Sequence, residues 1–149
     1  MRIAIGSDHA GYELKNKLVS YLQHKHIEVH DQGTFNSESV DYPDYAVQVC
    51  HTIMRDHSDL GILICYTGIG MSMAANKYKG IRAALVTSVE NAILTREHND
   101  ANVLCMGAKD VDFEQAKKIV NAFINTKFAG DRHTRRVNKL NNIEKHDKK

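Results

Sequence analysis

Gly61-Ile62-Leu63-Ile64-Cys65-Tyr66-Thr67-Gly68-Ile69-Gly70-Met71-Ser72 is the stretch on which the fold turns. Its apolar run reads as a short buried strand, and the glycine-bearing turn after it opens into helix-like spacing from Met73. A strand passed to a helix through such a loop is the first half of a βα unit, and the loop's free N–H groups can hold an anion. Cys65 stands at the carboxyl end of the strand, facing that loop. The following helix turns its positive end towards the thiol, the kind of field in which cysteines become reactive. Nucleophile, proton carrier and simple packing are all open to a thiol in this position.

The same alternation runs outward in both directions. Ile3 to Gly6 reads as a strand, and Leu14, Leu18, Val19 and Leu22 repeat at helical spacing. Glu28 to Asp31 is a weaker strand. A helix follows from Tyr42 to His57, with Pro43 in its first turn and Ala46, Val49, Cys50, Ile53 and Met54 on one face. Beyond the central junction come a strand at Ile81 to Val86, a helix across Val89 to Glu97, a strand at Asn102 to Met106 and a helix from Val111 to Asn125. Strict alternation predicts an α/β fold, a Rossmann-like three-layer αβα sandwich around a five-stranded parallel sheet, with an extra C-terminal helix. The doubly wound order 2-1-3-4-5 is expected, and it places a ligand crevice where strands 1 and 3 diverge. Ser7, Asp8, His9 and Ala10 would then share that crevice with Cys65 to Gly70.

Composition narrows the function classes. The chain has 149 residues and a formal net charge of +2, suited to one domain and too weakly basic for a nucleic-acid protein. No apolar stretch approaches the roughly 20 residues that span a bilayer, and the N-terminus is strand-like, so a soluble, cytoplasmic protein is expected. Cys50, Cys65 and Cys105 are odd in number with no Cys-x-x-Cys spacing, which points to free thiols. Cys50 falls on an apolar helix face and reads as core; Cys105 ends the last strand with no anion loop after it. The histidines give no ligand pair at helical spacing, so no metal site and no cofactor is expected.

Asp8 and His9 suit a polar ligand or proton transfer, although Asp8 could equally serve as a helix cap. A phospho-accepting aspartate after strand 3 is excluded, because that place is Cys65. Cysteine-dependent phosphatase chemistry is excluded too: the arginine needed six residues on is Met71. A thiol beside N–H donors remains suited to proton abstraction next to a carbonyl, with the donors holding the developing oxyanion. Arg96-Glu97-His98-Asn99-Asp100 crowds titratable groups into one helix end. Arg132 and Arg136, four apart, share a helix face and could clamp a phosphate. They open a basic tail, 131–149, which otherwise reads as a solvated helix fraying from Glu144.

Gly6-Ser7-Asp8-His9-Ala10-Gly11, Asp41-Tyr42-Pro43, the Cys65 loop with Ala74-Ala75-Asn76-Lys77, Arg96 through Asn102, and the Arg132 to Arg136 cluster together resemble the type B ribose-5-phosphate isomerases. The resemblance runs from Ile3 to about Val137. It implies a single sugar-phosphate isomerase domain over 1–149 that interconverts ribose 5-phosphate and ribulose 5-phosphate through a cis-enediolate, in the non-oxidative branch of the pentose phosphate pathway. Cys65 would carry the proton, His98 would assist ring opening, and Thr67 with the N–H groups from Tyr66 through Gly68 and Ile69 to Gly70 would hold oxygens. Asp8, Tyr42 and Asn99 would bind the sugar, Lys109 would reach the substrate, and His9, Arg132 and Arg136 would hold the phosphate.

A homodimer or homotetramer with shared active sites is implied, and Val137, Leu140 and Ile143 give the last helix a thin apolar stripe suited to a partner. Alternatives are a 6-phosphohexose isomerase and a non-catalytic sugar-phosphate-binding module. The chain departs from the family pattern at three positions: Tyr66 replaces a small residue, Lys109 an arginine and Asp131 a glycine. A left-handed backbone at 66 would cost a tyrosine about 1–2 kcal/mol.

Overall fold

The computed structural model describes residues 1–146. Five strands and six helices follow the expected alternation: β1 (Arg2–Ser7), α1 (Tyr12–His24), β2 (Glu28–Asp31), α2 (Tyr42–Met54), β3 (Leu60–Cys65), α3 (Ile69–Ala75), β4 (Ala83–Leu85), α4 (Val89–Asn99), β5 (Val103–Gly107), α5 (Phe113–Asn125) and α6 (Arg132–His146). Every strand pair is parallel. None of the described helices is long and apolar enough to cross a membrane.

The core forms on both faces of the sheet because the apolar residues of the inner strands alternate sides. Ile3, Ile5, Ile62, Ile64, Leu104 and Met106 pack against α1, α4 and α5. Ala4, Leu63, Cys65, Val103 and Cys105 pack against α2 and α3. The helices start where the sequence supplies caps. Ser88 accepts from the Asn91 N–H at 3.1 Å and Asp112 from the Gln115 N–H at 2.8 Å. Pro43 occupies the first turn of α2.

The strand order is β2-β1-β3-β5-β4, so the last two strands are exchanged relative to the expected 2-1-3-4-5. Handedness explains the exchange. Helix α4 places Ala92 in the core layer that also holds α1 and α5. A right-handed crossover with its helix on that face steps towards β2, as β1 to β2 does through α1. Burial agrees: all five residues of β5 are buried, while the three-residue β4 is half-exposed and takes the edge. The divergence between β1 and β3 is unaffected.

That edge is finished by a side chain. The Asn76 amide donates to the Ala83 carbonyl at 2.9 Å and accepts from the Ala83 N–H at 2.8 Å, pairing the strand as a neighbouring backbone would.

The basic end is helical through His146, so the fraying expected from Glu144 does not begin there; residues 147–149 lie outside the described residues. Glu144 accepts from the Gly80 N–H at 3.1 Å, and Arg82 reaches Asn141 at 3.3 Å. Of the thin apolar stripe, Val137 packs onto the chain itself, whereas Leu140 and Ile143 remain about half exposed.

Candidate active site

At the β1/β3 divergence the loops after the two strands enclose a cavity of about 420 Å³, lined by Asp8, Tyr42, Cys65, Tyr66, Thr67, Ile69, Gly70 and Met73. Strand β3 delivers Cys65 to its floor in register with Gly107 of β5. Gly68 then adopts a φ of +77°, which turns its N–H back onto the thiol: the Gly68 N–H donates to Cys65 Sγ at 3.1 Å. The Ile69 N–H donates to Thr67 Oγ1 at 3.2 Å. The chain thus enters α3 with the N–H groups of its first turn at the cavity, where a helix leaves them without intrahelical partners.

Asp8 is buried beside this floor. Its Oδ1 accepts from the Ala10 and Gly11 N–H groups at 3.0 and 3.2 Å, so one oxygen organises the turn into α1. The helix cap itself is Gly11, and the capping alternative for Asp8 resolves into this turn. Tyr42 closes the cavity from α2, and its ring lies so near Gly70 that a Cβ there would meet it at 2.6 Å. His9 stands exposed on the same loop as Asp8, with the Val40 N–H 3.2 Å from its Nδ1.

Position 66 is not left-handed: the positive φ of the loop falls on Gly68, so Tyr66 carries no such strain. Its ring is 61 % exposed at the rim, beside Met73 at 64 %. The left-handed conformation does occur at Asp131, with φ +56° immediately before α6.

The remaining candidates gather elsewhere. His98 and Asn99 end α4, and Arg132 and Arg136 lie exposed on the first turns of α6. None of them lines the Cys65 cavity. Arg96 fixes this corner, donating to the Thr126 carbonyl at 3.1 Å, to Asp100 at 3.2 Å and to the Ala101 carbonyl. Asn99 accepts from Thr95 Oγ1 at 3.1 Å and borders a second cavity, of about 350 Å³, between β4 and α6. Lys109 also stays outside the Cys65 cavity. Its Nζ pairs with Asp110 at 3.1 Å, although its backbone N–H donates to the Tyr66 carbonyl at 3.0 Å.

The other two thiols differ from Cys65. Burial pushes Cys50 up to about 12 and raises Cys105 well above its ordinary value, and both are core residues as the sequence suggests for Cys50. Sequence reasoning gave no part to His133, whose ring stacks on His98 with centroids 4.3 Å apart. Two residues 35 positions apart, on separate helices, leave no periodic trace of such a contact.

Residues 3–140 match the sequence pattern of a family described as Ribose/Galactose Isomerase. The chain belongs to that family. Among its isomerase relatives is ribose-5-phosphate isomerase B of Escherichia coli, 46% identical over 143 residues that cover 96% of each chain. The structure of a Clostridium thermocellum ribose-5-phosphate isomerase B superposes with a TM-score of 0.97 at 46% identity, covering 98% of this chain and 99% of the other. That of the Mycoplasma genitalium enzyme with bound ribulose 5-phosphate gives 0.93 at 44% identity, covering 97% and 96%. Membership makes the chain an enzyme of the sugar-phosphate isomerase class, on the type B fold.

Proposed function

We propose that this isomerase interconverts ribose 5-phosphate and ribulose 5-phosphate in the non-oxidative pentose phosphate pathway, with Cys65 as the base. The observation that carries this reading is the Gly68 N–H held 3.1 Å from Cys65 Sγ on the floor of a cavity that also presents Asp8, Tyr42 and Thr67. A thiol held on the cavity floor among the loop's donors is placed to take a proton from a carbon of the bound sugar. Cys65 takes the proton from C2 of the open-chain aldose and the electrons move onto O1; a proton then passes from O2 to O1, and Cys65 returns its proton at C1 as C2–O2 becomes the carbonyl. The first-turn N–H groups of α3 and Thr67 steady the oxygen on which charge develops. Asp8 and Tyr42 accept and orient sugar hydroxyls.

His98 assists opening of the furanose by moving protons at its oxygens, Asn99 binds the sugar, and Arg132, Arg136 and His9 hold the phosphate. Within one chain His98, Asn99, Arg132 and Arg136 stand apart from the Cys65 cavity. The reading therefore includes a homodimer, alone or paired into a tetramer, in which one chain brings this group to the cavity of the other. The exposed apolar side chains of Tyr66, Ile69 and Met73 at the rim support a covered rather than open mouth.

The test is an assay of ribose 5-phosphate, allose 6-phosphate and galactose 6-phosphate with the wild type and with Cys65→Ala. Conversion of the pentose, lost in the variant, is expected. Preference for a hexose phosphate would reassign the substrate, undiminished turnover in the variant would reassign the base, and binding without turnover of any sugar would indicate a binding module.

A further inference from the structure

We infer that His133 is a positioning residue for His98, its imidazole lying flat against the His98 ring and fixing the plane from which that ring moves protons as the sugar opens. The inference rests on the role given to His98 above. The two rings are 4.3 Å apart and inclined by only 15°. His133 is 6 % exposed and lies beneath, while His98 is half-buried and lies outward. A histidine is ordinarily oriented by a hydrogen bond to one ring nitrogen. Among the described residues neither nitrogen of His98 has a protein partner, so the stack supplies the orientation and both nitrogens stay available.

The backbone shows that the stack is built rather than incidental. The Ala129 N–H donates to the Glu97 carbonyl at 3.1 Å, tying the approach to α6 onto the last turn of α4. Gly130 and Asp131 are both left-handed, and the His133 N–H returns to the Gly130 carbonyl at 3.1 Å. The chain is thereby turned so that the second residue of α6 faces the tenth of α4.

Charge suits the arrangement as well. Desolvation first, then Arg132, His98 and Arg136, hold His133 below its ordinary value and so neutral near pH 7. A neutral ring leaves His98 free to gain and lose a proton without a second cation against its face. Opening the furanose breaks the C1–O4 bond, removes a proton from O1 and places one on O4, so a single well-aimed imidazole can serve with no net change in protonation.

An aldose that cannot cyclise isolates this step. 4-Deoxyribose 5-phosphate lacks O4 and has its O5 esterified, so it stays open and its isomerisation needs no ring opening. His133→Ala should lower kcat/KM for ribose 5-phosphate by about 10-fold or more while that for the deoxy analogue stays within about 2-fold. His133→Phe, a flat ring without nitrogens, should restore most of the loss. Equal loss with both substrates would overturn the inference in favour of a structural or phosphate-holding role. A phenylalanine variant as poor as alanine, or no loss in either variant, would overturn it too. A wild type inert towards both substrates would instead overturn the underlying assignment.

Discussion

The backbone N–H of Gly68 points at the sulfur of Cys65 from 3.1 Å, and it does so because Gly68 sits at φ +77°. A side chain at 68 would be strained by about 1–2 kcal/mol. Its Cβ would also stand 2.6 Å from Leu85 Cδ1 and 2.7 Å from the Met106 carbonyl carbon. Gly68→Ala is expected to lower kcat on the order of 100-fold through misplacement of the loop. Steady-state kinetics beside a thermal melt would check this, and near-normal kcat in a folded variant would sink it.

The three thiols should separate by reactivity. Cys50 and Cys105 are buried in the core and pushed upward by that burial, whereas Cys65 lines a cavity and meets an N–H donor. Iodoacetamide on the native protein is expected to label Cys65 first, with the other two labelled only after denaturation. Mass spectrometry of digests reads the order directly.

Lys15 is fully buried, with its Nζ 2.8 and 2.9 Å from the Asp31 carboxylate oxygens, while Asp31 retains 26 % side-chain exposure. Removing either partner leaves the other uncompensated, but the carboxylate can still draw on water and the ammonium cannot. Asp31→Leu should therefore cost more stability than Lys15→Met, about 3–5 kcal/mol against a smaller loss. Chemical denaturation of both variants measures the difference, and the reverse ranking would refute the argument.

His133 also sets a pH dependence. Its folded-state value is lowered from 6.5, so the unfolded chain takes up a proton that the folded chain resists. The associated stability is complete above about pH 6.5 and is lost as the pH falls towards the lowered folded value. Denaturation midpoints should drop between neutral and mildly acidic pH, with a shallower slope in His133→Phe. An unchanged slope would remove His133 from the account.

If the catalytic groups are shared between chains, mixing Cys65→Ala with His98→Ala subunits should restore partial activity, because one of the two sites in a mixed dimer is then intact. No recovery in dimers verified to be mixed would place both residues in the same site of one chain.

The β3 to α3 junction was legible because an unbroken apolar run and two spaced glycines have few other structural uses, and Asp8, Tyr42, Cys65 and Thr67 do meet there. The far side of the sheet was not legible. The position of β5 inside β4 depends on which face α4 covers, and the weak amphipathicity of Val89 to Asn99 does not declare a face. Burial of Lys15 was equally hidden, since lysine is ordinarily solvated and its partner lies on a different element. The cost that a left-handed backbone would impose on Tyr66 does not arise, because the positive φ of the loop falls on Gly68. Spacing alone cannot say which of several residues in a turn reverses the chain.

Asn76 carries a consequence for the protein in crowded solution. An outer strand with free N–H and C=O groups is a template on which another molecule can add its own strand. The Asn76 side chain occupies both groups of Ala83 and so leaves β4 less to offer. This small device bears on solubility, because it discourages growth of the sheet from one molecule into the next.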